Sequence, residues 1–210
     1  GSGKSTLAQL LLRFYDPSNG KITIGGIDIK QIDINNLREK ISYVQQDVFL
    51  FSDTVAGNIS FGLAALASNE TIERAAKFAS VHQEILGFEK GYDTLIGERG
   101  VTLSGGQKQR ISIARALIKD PEIVVFDDCL SAVDAKTEFE ILSSLNKYLH
   151  EKTAIIITHR IFSTFRFDTI IVLENGAIIE KGSHEDLLLL NGYYAELYRM
   201  QLTGLTDSSL

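Results

Sequence analysis

Cysteine is almost missing from this sequence, since Cys129 stands alone. A lone thiol can form no internal disulfide and no thiolate-bound metal cluster, which suits a reducing compartment such as the cytosol. Basic charge is also scarce, with 21 Lys and Arg against 27 Asp and Glu and a formal net charge of −6. No segment concentrates basic residues as a duplex-binding surface requires, so no nucleic acid partner is expected. Long apolar runs are lacking too. Those at 154–157 and 187–190 fall far short of the roughly 20 residues that span a bilayer, so this segment does not itself cross a membrane. Neither an internal repeat nor a low-complexity stretch is found.

What is present reads as one globular unit. Hydrophobic residues make up 44% and charged residues 23%, the balance of a packed protein. A chain of 210 residues buries one substantial core and is short for two domains of average size. Leu7, Leu10, Leu11 and Phe14 have helical spacing that ends near Asp16-Pro17, so a helix is expected to leave directly from the Gly-rich start. Residues 21–29 read as short strands around Gly25-Gly26, and 41–44 as the next strand. Residues 69–88 and 104–118 carry helical periodicity on either side of a Gly-rich interval, predicting a helical lobe at about 69–118.

The runs at 123–126 and 154–158 are short and continuously apolar, the pattern of strands covered on both faces of a parallel sheet, with a crossover helix at 135–149. A hairpin at the end of the sheet is expected at 169–180, around Glu174-Asn175-Gly176, followed by helices near 184–190 and 193–201. The predicted class is α/β, a mainly parallel sheet with an inserted helical lobe. The domain is expected over 1–202, with 203–210 as a frayed tail.

The chemistry begins at the first residue. Gly1-Ser2-Gly3-Lys4-Ser5-Thr6 is the second half of the phosphate-binding pattern G-x-x-x-x-G-K-[ST]. Glycines there let backbone N–H groups turn onto phosphate oxygens, and the following helix aims its positive end at them. Lys4 is placed to reach the β/γ-phosphates of ATP, and Ser5 to ligate Mg²⁺. Because the chain opens inside this motif, an N-terminal portion is expected to be missing, including the strand that feeds the loop. Residues 123–128 form an apolar strand ending in Asp127 and Asp128, the layout in which a first Asp holds Mg²⁺; taken alone, Asp residues at such strand ends often cap helices instead.

Leu103-Ser104-Gly105-Gly106-Gln107, followed by Lys108-Gln109-Arg110, resembles the signature of the ATP-binding cassette family of P-loop NTPases. In that family, the resemblance implies, this helix start faces the γ-phosphate held by an opposite subunit, so two domains meet head to tail over ATP and Mg²⁺. Other positions fall into the family's order. Gln46 matches the glutamine that touches Mg²⁺ and the attacking water. Ser131-Ala132-Val133-Asp134 matches the D-loop, and Asp134 is its acidic residue. His159, which alone would read as a structural histidine, matches the switch histidine that contacts the γ-phosphate. Gly97-Glu98-Arg99-Gly100 resembles the X-loop of exporter-type domains, or else an exposed turn. Phe14-Tyr15-Asp16-Pro17 and Phe49-Leu50-Phe51-Ser52 resemble the same branch, although Phe49 and Phe51 could equally be core aromatics. His82, His150 and His184 match no motif and are expected at the surface or as caps.

Two positions depart from the family pattern. Gln45 stands where many relatives have Pro, and Asp128 stands where most have a Glu acting as general base. Catalytic roles thus fall to Asp128, His159 and Gln46, and metal contacts to Ser5, Gln46 and Asp127. The shorter Asp128 resembles the hydrolysis-impaired subunit of a two-chain exporter. The resemblance implies an ATPase motor at the cytoplasmic face of a membrane, a second nucleotide-binding domain as partner, and a transmembrane domain on the parent chain. A non-transport ATPase of the family and a mainly regulatory nucleotide-binding subunit are the alternatives.

Overall fold

The computed structural model describes residues 2–63, 67–97, 102–130, 135–162 and 165–203. The first helix, α1 (Lys4–Leu11), starts at Gly3 and stops short of the expected Phe14, because Arg13 turns to a left-handed φ of 51°. It buries Ala8, and Leu12 just beyond it, while Leu7 and Phe14 stay exposed. Strands β1 (Thr23–Ile24) and β2 (Ile27–Asp28) pair antiparallel through Gly25 and Gly26, both at positive φ as a tight hairpin demands.

Helix α2 (Ile34–Lys40) has no counterpart in the periodicity analysis. Its signal is local: the Asp33 carboxylate accepts from the N–H groups of Asn35 and Asn36, and Leu37 alone is buried. β3 (Ile41–Val44) comes at once, and α3 (Val55–Ser60), also unanticipated, is capped by Thr54.

The helical lobe contains α4 (Asn69–Phe78), α5 (His82–Leu86) and α6 (Gly105–Leu117). The single helical span expected over 69–88 is therefore two helices. Val81 N–H reaches back to Ala76 O and Ser80 N–H to Lys77 O, with Ser80 at φ 53°. This is a Schellman ending in which serine occupies the place glycine usually takes.

Next come β4 (Ile123–Asp127), the crossover helix α7 (Ala135–Tyr148) and β5 (Thr153–Ile157). Strands β3, β4 and β5 form a parallel sheet in that order, with Val44 opposite Phe126 and Asp127 opposite Ile157. Alternation along β4 separates two layers. Val124 and Phe126 join the lobe and α7 in the main core, whereas Val125 packs with Ala8, Leu12, Ile29 and Leu37. Ile111 and Ile113 of α6 are wholly buried in the first layer, each stabilising by about 1.5–3 kcal/mol.

β5 is not covered on both faces: among the described residues it is an edge strand, and Ile155 remains 40% exposed. The hairpin of β6 (Ile170–Glu174) and β7 (Ala177–Gly182) does form, but as a separate antiparallel sheet with no ladder to β5. It packs with α8 (His184–Leu190) and α9 (Tyr193–Leu202) around Leu187 and Tyr194. Among the described residues no helix is long and apolar enough to cross a membrane. Of the tail expected at 203–210, residues 204–210 lie outside the described residues.

Candidate functional site

Gly3 begins the site. As the N-cap of α1 it has φ 90°, a conformation strained for any residue with a Cβ, and no side chain caps the N–H groups beyond it. No acidic residue stands in the first turn to neutralise that positive end. Lys4 Nζ donates to Ser2 Oγ at 2.7 Å, folding the ammonium back over the loop. Ser5 and Thr6 are exposed at the same end, and Gly1 lies outside the described residues.

The sheet delivers the remaining groups to one edge. Because β3, β4 and β5 run parallel and in register, the residues after Val44, Phe126 and Ile157 emerge at neighbouring C-terminal ends. Gln46 is exposed just beyond β3, Asp127 ends β4, Asp128 comes directly after it, and His159 is exposed just beyond β5. Open α/β sheets bind ligands outside this edge. Helix α1 lies against β4 through Ala8, Leu12 and Val125, which sets the Gly3–Lys4 turn beside the carboxylates.

Asp127 is only 4% exposed, and its Oδ2 accepts a 2.8 Å hydrogen bond from the Tyr43 hydroxyl. Tyr43 sits opposite Val125, so Asp127 is its diagonal neighbour on the same face. Burial, then this hydrogen bond to a carboxylate, pushes the Tyr43 phenol well above its usual range and keeps it a donor. Asp128 breaks the alternation: it adopts φ 45°, and its N–H continues the ladder to Ile157 O at 2.8 Å. Burial raises the Asp128 carboxyl above the usual range, with the charge of Asp127 adding to the rise. The positive groups of His159, Arg160 and Lys4 oppose it. That coupling places these side chains in one electrostatic neighbourhood. Arg160 is tied to α7 by an ion pair with Glu138.

The signature forms a second centre, on the lobe. Ser104 caps α6 in a closed capping box: Ser104 Oγ accepts from Gln107 N–H at 3.2 Å, and Gln107 Oε1 accepts from Ser104 N–H at 2.9 Å. Leu103 is buried beneath, while Ser104 and Gly105 are exposed and Gly106 half-exposed at the helix start. No acidic residue stands in this first turn either. Asp134 and the rest of 131–134, and Glu98-Arg99-Gly100, lie outside the described residues.

Several residues here were not singled out by sequence reasoning. Tyr43 is one, since only strand register reveals its partner. Arg115 is another: its guanidinium donates to Asn58 O, Asn58 Oδ1 and Phe49 O at 2.8, 2.8 and 2.9 Å. The fully buried Asn58 also bonds both backbone groups of Phe51, so α6 is fastened to the segment after Gln46. Phe49 is no core residue, being 69% exposed, and meets Phe51 edge-on. His82 and His184 bond the hydroxyls of Tyr92 and Tyr194 in structural contacts.

Cys129 is buried beside Asp128, and burial pushes its thiol up to about 12. At pH 8 the folded chain is expected to react with iodoacetamide roughly 10³-fold more slowly than an exposed thiol, reactivity returning in guanidinium. Mass spectrometry of the labelled peptide checks this, and rapid labelling of the native chain would contradict it.

Comparison with known proteins identifies the family. The family model described as "ABC transporter" matches residues 1–131. The chain is 45% identical over 209 residues to "ATP-binding cassette sub-family B member 6" of Xenopus tropicalis, covering 100% of this chain and 24% of that protein. It is 47% identical over 201 residues to "ATP-dependent lipid A-core flippase" of Pectobacterium atrosepticum, covering 96% and 34% respectively. A solved "bacterial Atm1-family ABC exporter with ATP bound" superposes with a TM-score of 0.89 at 47% identity, over 95% of this chain and 35% of that one. The chain thus spans a quarter to a third of the length of these relatives. With a P-loop NTPase fold, the signature sequence and relatives of this similarity, the chain belongs to the ABC transporter family.

Proposed function

We propose that this chain is the ATP-binding and ATP-hydrolysing motor domain of an ABC exporter, working at the cytoplasmic face of a membrane. The observation that carries the reading is the convergence of Gln46, Asp127, Asp128 and His159 at one sheet edge, beside the Gly3–Lys4 helix start. The names of its relatives, a flippase and an exporter among them, support transport as the use of the energy. Within this chain the domain occupies 1–202. The transmembrane domain belongs to the parent chain, and the transported substrate is set there.

In this reading Lys4 and the N–H groups of the α1 turn hold the β/γ-phosphates. Oxygen donors suit Mg²⁺, which takes one or two protein ligands and otherwise phosphate and water oxygens. Ser5, Gln46 and the buried, Tyr43-anchored Asp127 fit that need, and among the described residues no three acidic, His or Cys side chains converge to hold a metal by themselves. When bound, Mg²⁺ supplies neutralisation of phosphate charge. Gln46 positions the attacking water, His159 contacts the γ-phosphate, and Asp128 accepts the water's proton. Being a methylene short of glutamate, Asp128 is a poor base, so this site binds nucleotide better than it hydrolyses it.

The capped start of α6 serves the opposite nucleotide. Two domains close head to tail, Ser104 and the Gly105-Gly106 backbone facing a γ-phosphate held across the interface, with Asp134 in the D-loop beside it. The partner supplies the Glu-bearing site in a heterodimer. Ser104→Arg is expected to lower hydrolysis at the opposite site by about 10²-fold, the effect of spoiling one preorganised anion-binding group, while nucleotide stays bound to this chain. The assay is ATP turnover of the intact two-chain transporter with chain-resolved azido-ATP labelling; full turnover in the variant would sink the head-to-tail arrangement. A mainly regulatory role is the second reading, favoured by Asp128 alone.

A further inference from the structure

The signature helix is braced from the side by the short helix α5. Glu84 Oε2 accepts from Gln107 Nε2 at 3.0 Å and from Arg110 Nη2 at 2.9 Å, and Glu84 Oε1 lies 2.7 Å from Arg110 Nη2. Arg110 is 7% exposed, so its charge depends on this partner. Gln107 is the residue that closes the cap, its Oε1 accepting from Ser104 N–H.

A primary amide can rotate to present either its oxygen or its NH₂. Facing Ser104 N–H, only the oxygen works, because an NH₂ would set donor against donor. An ionised carboxylate accepts hydrogen bonds and donates none. Glu84 therefore reinforces the orientation that Ser104 N–H requires: it holds the amide nitrogen and keeps the oxygen aimed at the cap. Arg110, about one helical turn further along the same helix, holds Glu84 in place through both carboxylate oxygens.

We propose that Glu84 is a positioning residue for the signature, fixing the Gln107 amide so that the capped start of α6 is presented in one geometry to the opposite subunit's nucleotide. The inference rests on the head-to-tail reading above. Its consequence is specific: damage at Glu84 is felt on the other chain's ATP, although Glu84 lies on neither nucleotide's own P-loop.

The test uses the intact transporter assembled from two chains that differ in size, only one carrying the substitution. Azido-ATP labelling and vanadate trapping of nucleotide are read chain by chain. Glu84→Ala is expected to lower trapping on the opposite chain by roughly 5- to 50-fold, as a misplaced catalytic group would, and to leave labelling of the variant chain near wild type. Glu84→Ala also strands the Arg110 charge, so Glu84→Ala/Arg110→Met is made alongside; it removes both charges together and is expected to recover the thermal midpoint. The opposite-chain defect should persist in this double variant. Recovery of trapping in it would mean that Glu84 merely neutralises Arg110, and an equal loss on both chains would mean general destabilisation; either result overturns the proposal. Ser104→Arg in the same format distinguishes failure of the proposal from failure of the reading beneath it. If it abolishes opposite-chain trapping while Glu84→Ala does not, Glu84 has been misassigned; if it too spares the opposite chain, the head-to-tail reading has failed.

Discussion

Replacing Asp128 by glutamate is expected to raise ATP turnover at this chain's own site by roughly 10- to 10²-fold, the contribution of a general base brought into reach. In the proposed site the other groups lie at the same end of the sheet. Asp127 is anchored by Tyr43, and His159 and Lys4 are close enough to act electrostatically on Asp128 itself. Burial raises the Asp128 carboxyl above its ordinary range, so in the proposed reading it is the shorter reach of Asp128 that the substitution is expected to remedy. A homodimer of the parent protein should hydrolyse ATP slowly, and pairing with a Glu-bearing subunit should restore rapid turnover at one site only.

The same substitution carries a structural cost. Asp128 occupies a left-handed conformation at φ 45°, a region Asp tolerates better than most residues because its short side chain bonds locally. Glutamate there is expected to cost up to ~1 kcal/mol of stability, since the left-handed penalty for ordinary residues is of that order. A faster enzyme with a slightly lower midpoint of unfolding is therefore the expected pair of results. If Asp128→Glu leaves turnover unchanged while Asp128→Asn destroys it, Asp128 is already a competent base and the asymmetric reading fails.

The motifs proposed to act on phosphate were visible in the sequence partly because some of their patterns are local, whereas Gln46 and His159 stood out only through the family's order of motifs. A glycine before a lysine at a helix start, or an apolar strand closing on two carboxylates, keeps its meaning wherever the chain goes. What escaped depends on register and on packing between segments distant in sequence. Tyr43 meets Asp127 only because β3 and β4 pair with Tyr43 opposite Val125. Glu84 meets Gln107 only because α4 ends at Phe78 and α5 starts afresh at His82, and that break was hidden by Ser80 standing where glycine is customary.

The strands show a different limit. The run at 154–158 has the apolar content of a strand covered on both faces, yet Ile155 remains 40% exposed. Composition reports what a strand is suited to, and neighbours decide what it gets. Helices α2 and α3 were missed for want of length: at 7 and 6 residues they are too brief for a 3.6-residue period to rise above chance, and only their caps, Asp33 and Thr54, mark them.

Lys4→Ala is expected to have the largest effect on nucleotide affinity, weakening ATP binding at this chain's site by roughly 30-fold to 10³-fold. That range corresponds to about 2–4 kcal/mol for truncating one member of a hydrogen-bonded charge pair, at 1.4 kcal/mol per tenfold. The variant retains the N-terminus of α1, worth only about 0.3–1 kcal/mol to an anion, so the helix cannot compensate. Lys4 is partly exposed, and its own hydrogen bond within the domain is to the neighbouring Ser2. Folding stability should consequently change by less than about 0.5 kcal/mol, as for surface substitutions generally, which separates lost binding from lost structure. Lys4→Arg should also bind poorly despite keeping the charge, because a planar guanidinium cannot replace a compact ammonium folded back over a tight loop. Azido-ATP labelling and calorimetry on the intact protein measure both variants, and undiminished labelling of Lys4→Ala would show that the phosphates are held elsewhere.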